Sequence, residues 1–291
     1  MSGITEFRRA RPWLGTLVEL RVEGLDATRA ARACERAFAE VACVHRLMTL
    51  HDSGGDLDRL HRARPGTPVR VDMRTREVID WALRVAAASD GCFDPTVAAR
   101  QVARGLLPRP ASPWSPDRAA TWRDIELIGA RGIRLARPLW IDLGGIAKGY
   151  AVDRAVAILV AAGAAQVCVN AGGDLRVAGT RSEVVNLRTQ AGVEAVPALE
   201  IGDAALATSA GPLASVDGED SPVHLHGRTR RPTGDGCVAS VVATECVVAD
   251  ALTKVVMCGD DDVARRALER FGAQAWVLKC GRTSSLLEAA A

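Results

Sequence analysis

A fold of interleaved strands and helices around one core is predicted by three observations. Residues 16–22 alternate apolar and polar side chains from Val18 onward, the period of a strand buried on one face. Residues 28–48 carry Ala30, Cys34, Ala37, Val41, Val44 and Leu47 at spacings of three and four, the stripe of an amphipathic helix. The two periods then keep exchanging to the end of the chain. A second helix runs from about 76 to 89, with Val78, Trp81, Ala82 and Val85 on one face. Four prolines between 106 and 116 predict a surface loop. A short apolar strand ends at Asp142, and a Gly-rich turn follows. An apolar helix from about 148 to 162 leads through Gly163 to a strand at 166–169, and Gly172-Gly173 turns the chain into a strand at 175–178. Then come a strand near 196–201, a Gly/Ser/Asp-rich loop at 209–222 and a strand at 238–243. A helix from about Ala249, another at 262–271 and a last strand at 275–279 complete the reading. No internal repeat is present.

Composition narrows the function classes. The 291 residues suffice for one large domain or two ordinary ones, and 48% apolar with 25% charged residues is a globular balance. A net charge of +2 gives no nucleic-acid footprint, and 4% aromatics make base-stacking platforms an unlikely design. The longest apolar run, 155–165, is about half of a membrane span, so no membrane crossing is expected. Residues 1–12 are polar and Arg-rich without an apolar core or a lipidation cysteine, which predicts cytoplasmic residence. The eight cysteines form no CxxC pair and read as reduced, mostly core, residues.

The segment richest in chemistry is Asp142-Leu-Gly-Gly-Ile-Ala-Lys-Gly-Tyr-Ala-Val-Asp153. Glycines at a helix start let a ligand approach the backbone, and free N–H groups there favour an anion. Lys148 adds positive charge, which is unfavourable near a helix N-terminus unless an anion is close by. Asp142 can accept hydrogen bonds from a ring or ribose. The string is neither GxGxxG nor GxxxxGK[ST], so the pattern alone points to an anionic ligand and no further.

The whole string resembles the ApbE family of FAD:protein FMN transferases, in which D-x-G-G-I-A-K-G-Y-A-x-D recurs. Other segments resemble that family in the same order: Leu14-Gly15-Thr16, Ser89-Asp-Gly-Cys-Phe-Asp-Pro-Thr-Val97, Val169-Asn-Ala-Gly-Gly-Asp174, Ala207-Thr-Ser209 and Ala249-Asp-Ala-Leu252. The resemblance implies a single α+β domain over 11–283, with mixed sheets flanked by helices and tails at 1–10 and 284–291. It implies binding of FAD and magnesium, transfer of FMN onto a Ser or Thr of an acceptor protein, and release of AMP. Magnesium suits the phosphate oxygens in such a reaction. Alternatives are a FAD pyrophosphatase giving FMN and AMP, and a flavin-binding protein whose chemistry has decayed.

Carried over by position, flavin contacts fall on Leu14, His51, Cys92, Phe93, Asp94, Asp142, Lys148 and Leu225. The metal ligands fall on the Gly145 carbonyl and the Asp250 carboxylate, with a hydroxyl four residues after that Asp. Here this chain departs, because that position is Lys254 and the nearby hydroxyl is Thr253. Either Thr253 replaces the ligand, or the Lys254 ammonium takes the metal's place and leaves a magnesium-independent or inactive site. His224 falls on the family's proton-accepting histidine, a role that its ordinary pKa suits. Its surroundings, His224-Leu-His-Gly-Arg-Thr-Arg-Arg-Pro232, have lost the family's H-I-I-D-P-x-T-G pattern and introduce His226 as an alternative base. Arg228, Arg230 and Arg231 form a basic cluster, read either as a phosphate contact or as solvated side chains.

Overall fold

Alternation along the first strands decides which face of the main sheet meets the helices. The computed structural model describes residues 6–187, 198–211, 224–234, 236–279 and 282–285. β1 (Phe7–Trp13) and β2 (Thr16–Glu23) form a hairpin whose two turn residues, Leu14 and Gly15, have φ of 58° and 73°. Two positive φ values in succession give the turn whose twist suits a two-residue hairpin. α1 (Ala27–Met48), α2 (Asp56–Arg62), β3 (Val69–Arg70), α3 (Met73–Ala88) and α4 (Ala98–Ala103) follow. Next are β4 (Ile125–Ile128), β5 (Gly132–Leu135), α5 (Ala147–Ala161), β6 (Gln166–Ala171) and β7 (Asp174–Gly179). β8 (Glu183–Asn186), β9 (Ala198–Ile201), β10 (Ala205–Ala210), β11 (His224–Leu225), β12 (Pro232–Thr233) and β13 (Cys237–Ala243) come after them. α6 (Cys246–Met257), α7 (Asp261–Phe271), β14 (Gln274–Lys279) and β15 (Arg282–Ser285) end the described chain.

Eight strands make one sheet in the order β1-β2-β6-β7-β10-β13-β14-β15, with neighbours antiparallel. Side chains of a strand alternate between faces. Val18, Leu20, Val22, Val167 and Val169 therefore point to one side, into the large core beneath α1, α5 and α6. Cys168, Leu175, Val177 and Leu206 point to the other side and join Leu187 and Ile201 in a smaller core beside the β8–β9 hairpin. α1 packs on α5 and α5 on α6, while α5 also lies on β6 and β7 and α6 lies on β10 and β13. The chain is thus α+β, as expected. No helix among the described residues is long and apolar enough to cross a membrane.

Several boundaries differ from expectation for physical reasons. Ile141 and Asp142 are not in a strand. Their backbone is fixed instead by the Ile141 N–H donating to His61 Nε2 at 2.8 Å and the Asp142 N–H donating to the Pro95 carbonyl at 2.8 Å. The apolar run imitated a strand because Leu139, Trp140 and Ile141 are all buried. α6 begins at Cys246, ahead of Ala249, because Asp153 of α5 caps it from across the core. The Asp153 carboxylate accepts from the Cys246 and Val247 amides at 2.9 and 2.8 Å. β1 begins at Phe7, inside the expected N-terminal tail, and β15 reaches into the expected C-terminal one. Most of the expected 209–222 loop lies outside the described residues, as do residues 286–291 of the tail.

Candidate functional site

Two cavities meet where the turn before α5 faces the C-terminal half of α6. One, of about 310 Å³, is lined by Leu14, Val44, Met48, His51, Leu107 and Leu143 among others. The second, of about 440 Å³, is lined by Cys92, Phe93, Asp94, Gln101, His224, Leu225 and Lys254 and by the 208–211 backbone end of β10. Asp142, Gly144 and Lys148 line both. The structure therefore brings together all eight positions expected to contact a flavin, Leu14 and His51 on the apolar side and Cys92, Phe93, Asp94 and Leu225 on the polar side. Gly145, His224 and Lys254 join them in the second cavity.

At the junction, the protein supplies its own anions. Lys148 Nζ bonds the Asp174 carboxylate and lies 3.8 Å from Asp250 Oδ1. Lys254 Nζ bonds that same Asp250 Oδ1 and also the Asp250 carbonyl at 3.1 Å. The two carboxylates are fully buried or nearly so. This explains a lysine in the first turn of α5, since the charge unfavourable to the helix dipole is matched by Asp174 and Asp250. Burial opposes ionisation of Asp250, yet Lys148 and Lys254 together hold its carboxyl below the usual range. Burial, and then Asp250, push Asp174 up to about 6. For Lys148, burial is outweighed by Asp250 and Asp174, so its ammonium is held above the ordinary lysine value.

Asp174 is the member of this charge cluster that sequence reasoning passed over. It stands after Gly172-Gly173 and read as turn chemistry, but it is the first residue of β7 and points to the helix side. The signal that could have found it was Lys148 itself, a half-buried cation in the first turn of a helix that needed an anionic partner. No side chain caps α5. Asp250 Oδ2, from α6, instead accepts from the Gly149 amide at 3.0 Å, within the first turn of α5.

The donor set does not fit a magnesium ion. A divalent cation on Asp250 and the Gly145 carbonyl needs further oxygen ligands, and the place beside that carboxylate is filled by an ammonium. The stem of Lys254 also packs against Gly145, where a Cβ would lie 3.4 Å from its Cε. Thr253 cannot take over. Fully buried, its hydroxyl donates to the Asp250 carbonyl at 2.7 Å and shares a 2.8 Å bond with Ser209. Lys254 is not a solvated lysine, since its ammonium sits against the buried Asp250 carboxylate.

His224 opens the second cavity's far wall on β11, paired with Thr233 of β12. Burial first, and the nearby Lys254 second, lower its pKa to about 4. Asp142, half-buried, accepts from the Gly144 amide at 2.8 Å, while burial raises its pKa. The arginine cluster divides. Arg230, itself at a φ of 58°, donates to Asp94, Thr96 and the Ala120 carbonyl, each at 3.0 Å. Arg228 pairs with Asp90 at 2.6 Å. Asp94 and Arg230 thus tie the 224–234 loop to the turn after α3. Asp94→Ala leaves the guanidinium buried without its counter-ion, so it is expected to cost about 3–5 kcal/mol. Thermal melting checks this, with a fall on the order of 10 °C expected.

Comparison with known proteins places this geometry. The ApbE family model matches residues 14–277. A FAD:protein FMN transferase of Rhodobacter capsulatus is 29% identical over 274 residues, which cover 88% of this chain and 52% of that protein. One of Salmonella typhimurium is 25% identical over 182 residues, 58% of this chain and 52% of the relative. The chain spans about half the length of these curated relatives. Among solved structures, the flavinyl transferase ApbE of Pseudomonas stutzeri in apo form superposes with a TM-score of 0.83 at 19% identity, covering 97% of this chain and 94% of the other. The ApbE protein of Thermotoga maritima gives 0.82 at 24% identity, covering 97% of each. These likenesses establish a common fold. With the family pattern matched from the Leu14 turn to the last strands, and its conserved-pattern segments gathered around two joined cavities, the chain belongs to the ApbE family.

Proposed function

We propose that this chain moves FMN from FAD onto a Ser or Thr hydroxyl of an acceptor protein and releases AMP. One observation carries the reading: two cavities meet at Lys148 beside the Gly144-Gly145 turn. A substrate with two ring systems joined by a charged bridge suits that shape, with its pyrophosphate beside the ammonium groups of Lys148 and Lys254. The names of the relatives, FAD:protein FMN transferase, support the transfer of FMN from FAD to a protein. In it, the acceptor hydroxyl oxygen forms a bond to the phosphorus on the flavin side. The bond from that phosphorus to the bridging oxygen breaks, AMP leaves with the electron pair, and the hydroxyl proton passes to His224. A weak base serves here, because the alcohol becomes acidic only as the new bond forms. Magnesium was the expected counter-charge; Lys148 and Lys254, already paired with Asp174 and Asp250, offer N–H donors beside the bridge without net positive charge in this reading, and no step is assigned to a metal.

Nucleotide chromatography after incubation with FAD and a Ser/Thr peptide, with magnesium and with chelator, tests the proposal. AMP together with flavinylated peptide supports it. AMP with free FMN makes the protein a pyrophosphatase, and intact bound FAD makes it a flavin-binding protein. Because His224 titrates at about 4, AMP release is expected to stay flat from about pH 8 down to about pH 5.5 and to fall only below that as the imidazole protonates. A limb centred near 6.5 would mean that another base, such as His226, accepts the proton.

A further inference from the structure

Cys92, His226 and Cys258 come from three separate parts of the chain, yet their ligand atoms all lie within 4.8 Å of one another. Cys92 follows the turn after α3, His226 follows β11, and Cys258 is the C-cap of α6. Cys92 Sγ stands 3.8 Å from His226 Nε2. Around a tetrahedral zinc with bonds of about 2.3 Å to sulfur and about 2.0 Å to nitrogen, a sulfur and a nitrogen sit roughly 3.6 Å apart. Backbone bonds already hold the three segments together. The Cys92 carbonyl accepts from the Gly227 amide at 2.8 Å and from the Cys258 thiol at 3.3 Å. The His226 amide donates to the Arg231 carbonyl at 2.9 Å. Two soft sulfurs and an imidazole select a thiophilic cation over magnesium or calcium.

We propose that Cys92, His226 and Cys258 form a binding site for a thiophilic divalent cation of the zinc kind, at the wall of the second cavity and apart from the Lys148–Asp250 cluster. Three protein ligands leave a fourth position for water or substrate, the composition of an open zinc site. On binding, the two thiols give up their protons and two metal–sulfur bonds form. The imidazole binds through Nε2, so its proton moves to Nδ1 and the 3.2 Å bond that Nδ1 now accepts from the Arg228 amide is released. Cys92 is among the residues lining the cavity, so an occupied site fixes the wall next to Phe93.

The reduced, folded protein is titrated with cobalt(II) and then with zinc(II). One equivalent of cobalt giving a thiolate-to-metal absorption band, displaced by one equivalent of zinc, is the expected result. Zinc is also expected to raise the melting temperature by several degrees. Cys258→Ser and His226→Ala, both at partly exposed positions, are each expected to weaken binding at least tenfold, and Cys258→Ser to remove most of the band. Folded wild-type protein without a thiolate band overturns the proposal. So does equal uptake by both variants, or formation of a Cys92–Cys258 disulfide with no metal uptake by the reduced chain. These readouts do not involve FAD, and they stand or fall independently of flavin transfer.

Discussion

Gly149→Ala is expected to be among the most destabilising single substitutions in the chain. A Cβ at this position would lie 2.3 Å from the Cys246 carbonyl oxygen, 2.6 Å from its carbon and 2.8 Å from the Asp250 Cβ. The first two are backbone atoms at the start of α6, and that start is pinned by the Asp153 carboxylate on the Cys246 and Val247 amides. The third belongs to the carboxylate that accepts from the Gly149 amide. Relief by moving α6 therefore breaks the cap, and relief by moving α5 breaks the bond to Asp250. In an exposed helix the same change stabilises by about 1 kcal/mol through helix propensity. Here overpacking against backbone reverses the sign, and a loss of about 3 kcal/mol or more is expected. Urea unfolding checks it, with the midpoint falling and the slope unchanged. A midpoint at or above the parent's would show that α5 and α6 can separate freely.

Lys254→Thr is expected to change how FAD binds. In the parent, two ammonium groups neutralise Asp250 and Asp174, and chelator is expected to leave FAD affinity untouched. The substitution removes one of those charges from beside a fully buried carboxylate and offers a hydroxyl in its place. Leaving such a charge half-compensated costs on the order of 3 kcal/mol. FAD affinity without metal is expected to fall by about tenfold to a hundredfold, matching a loss of roughly 1.4–2.8 kcal/mol. Magnesium is then expected to restore much of both affinity and melting temperature, because the vacated space can accept an oxygen-loving cation. Fluorescence titration of FAD and thermal melting, each with magnesium and with chelator, read this directly. A parent protein whose FAD binding collapses in chelator would remove Lys254 from the metal's place.

How much of this was visible in the sequence depends on the range of the forces involved. The β2 alternation and the α1 stripe were legible because burial on one face imposes a period that nothing else imitates, and the observed elements end within a residue of the expected bounds. The candidate site residues came from a resemblance of strings, and the fold sets the expected flavin contacts with Gly145, His224 and Lys254 around one pair of cavities. What escaped was decided across the core. α6 starts where Asp153 caps it, 93 residues away in sequence. Asp174 looked like a turn residue because its partner Lys148 lies 26 residues earlier. Arg230 read as either a phosphate contact or a solvated side chain, whereas it pairs with Asp94, 136 residues distant. The strand inferred before Asp142 failed for a related reason. Apolar burial there comes from neighbouring elements, and His61 and Pro95 take the backbone bonds that a sheet would otherwise have taken.

The pairing of β2 with β6 joins residues 18–23 to residues 166–171, and this has a consequence for how the protein comes into being. A ribosome delivers the first hairpin early, but its inner edge has no neighbour until more than half of the chain has been made. Closing so long a loop is slow relative to local helix formation. The β1–β2 hairpin must therefore wait with an unpaired edge, a state prone to association with other chains. The Lys148–Asp250 cluster waits longer still, since Asp250 and Lys254 arrive after β13. Synthesis that stops at the end of β10 would yield a nearly continuous half-sheet carrying Lys148 and Asp174 without the buried carboxylate and second ammonium that complete their cluster.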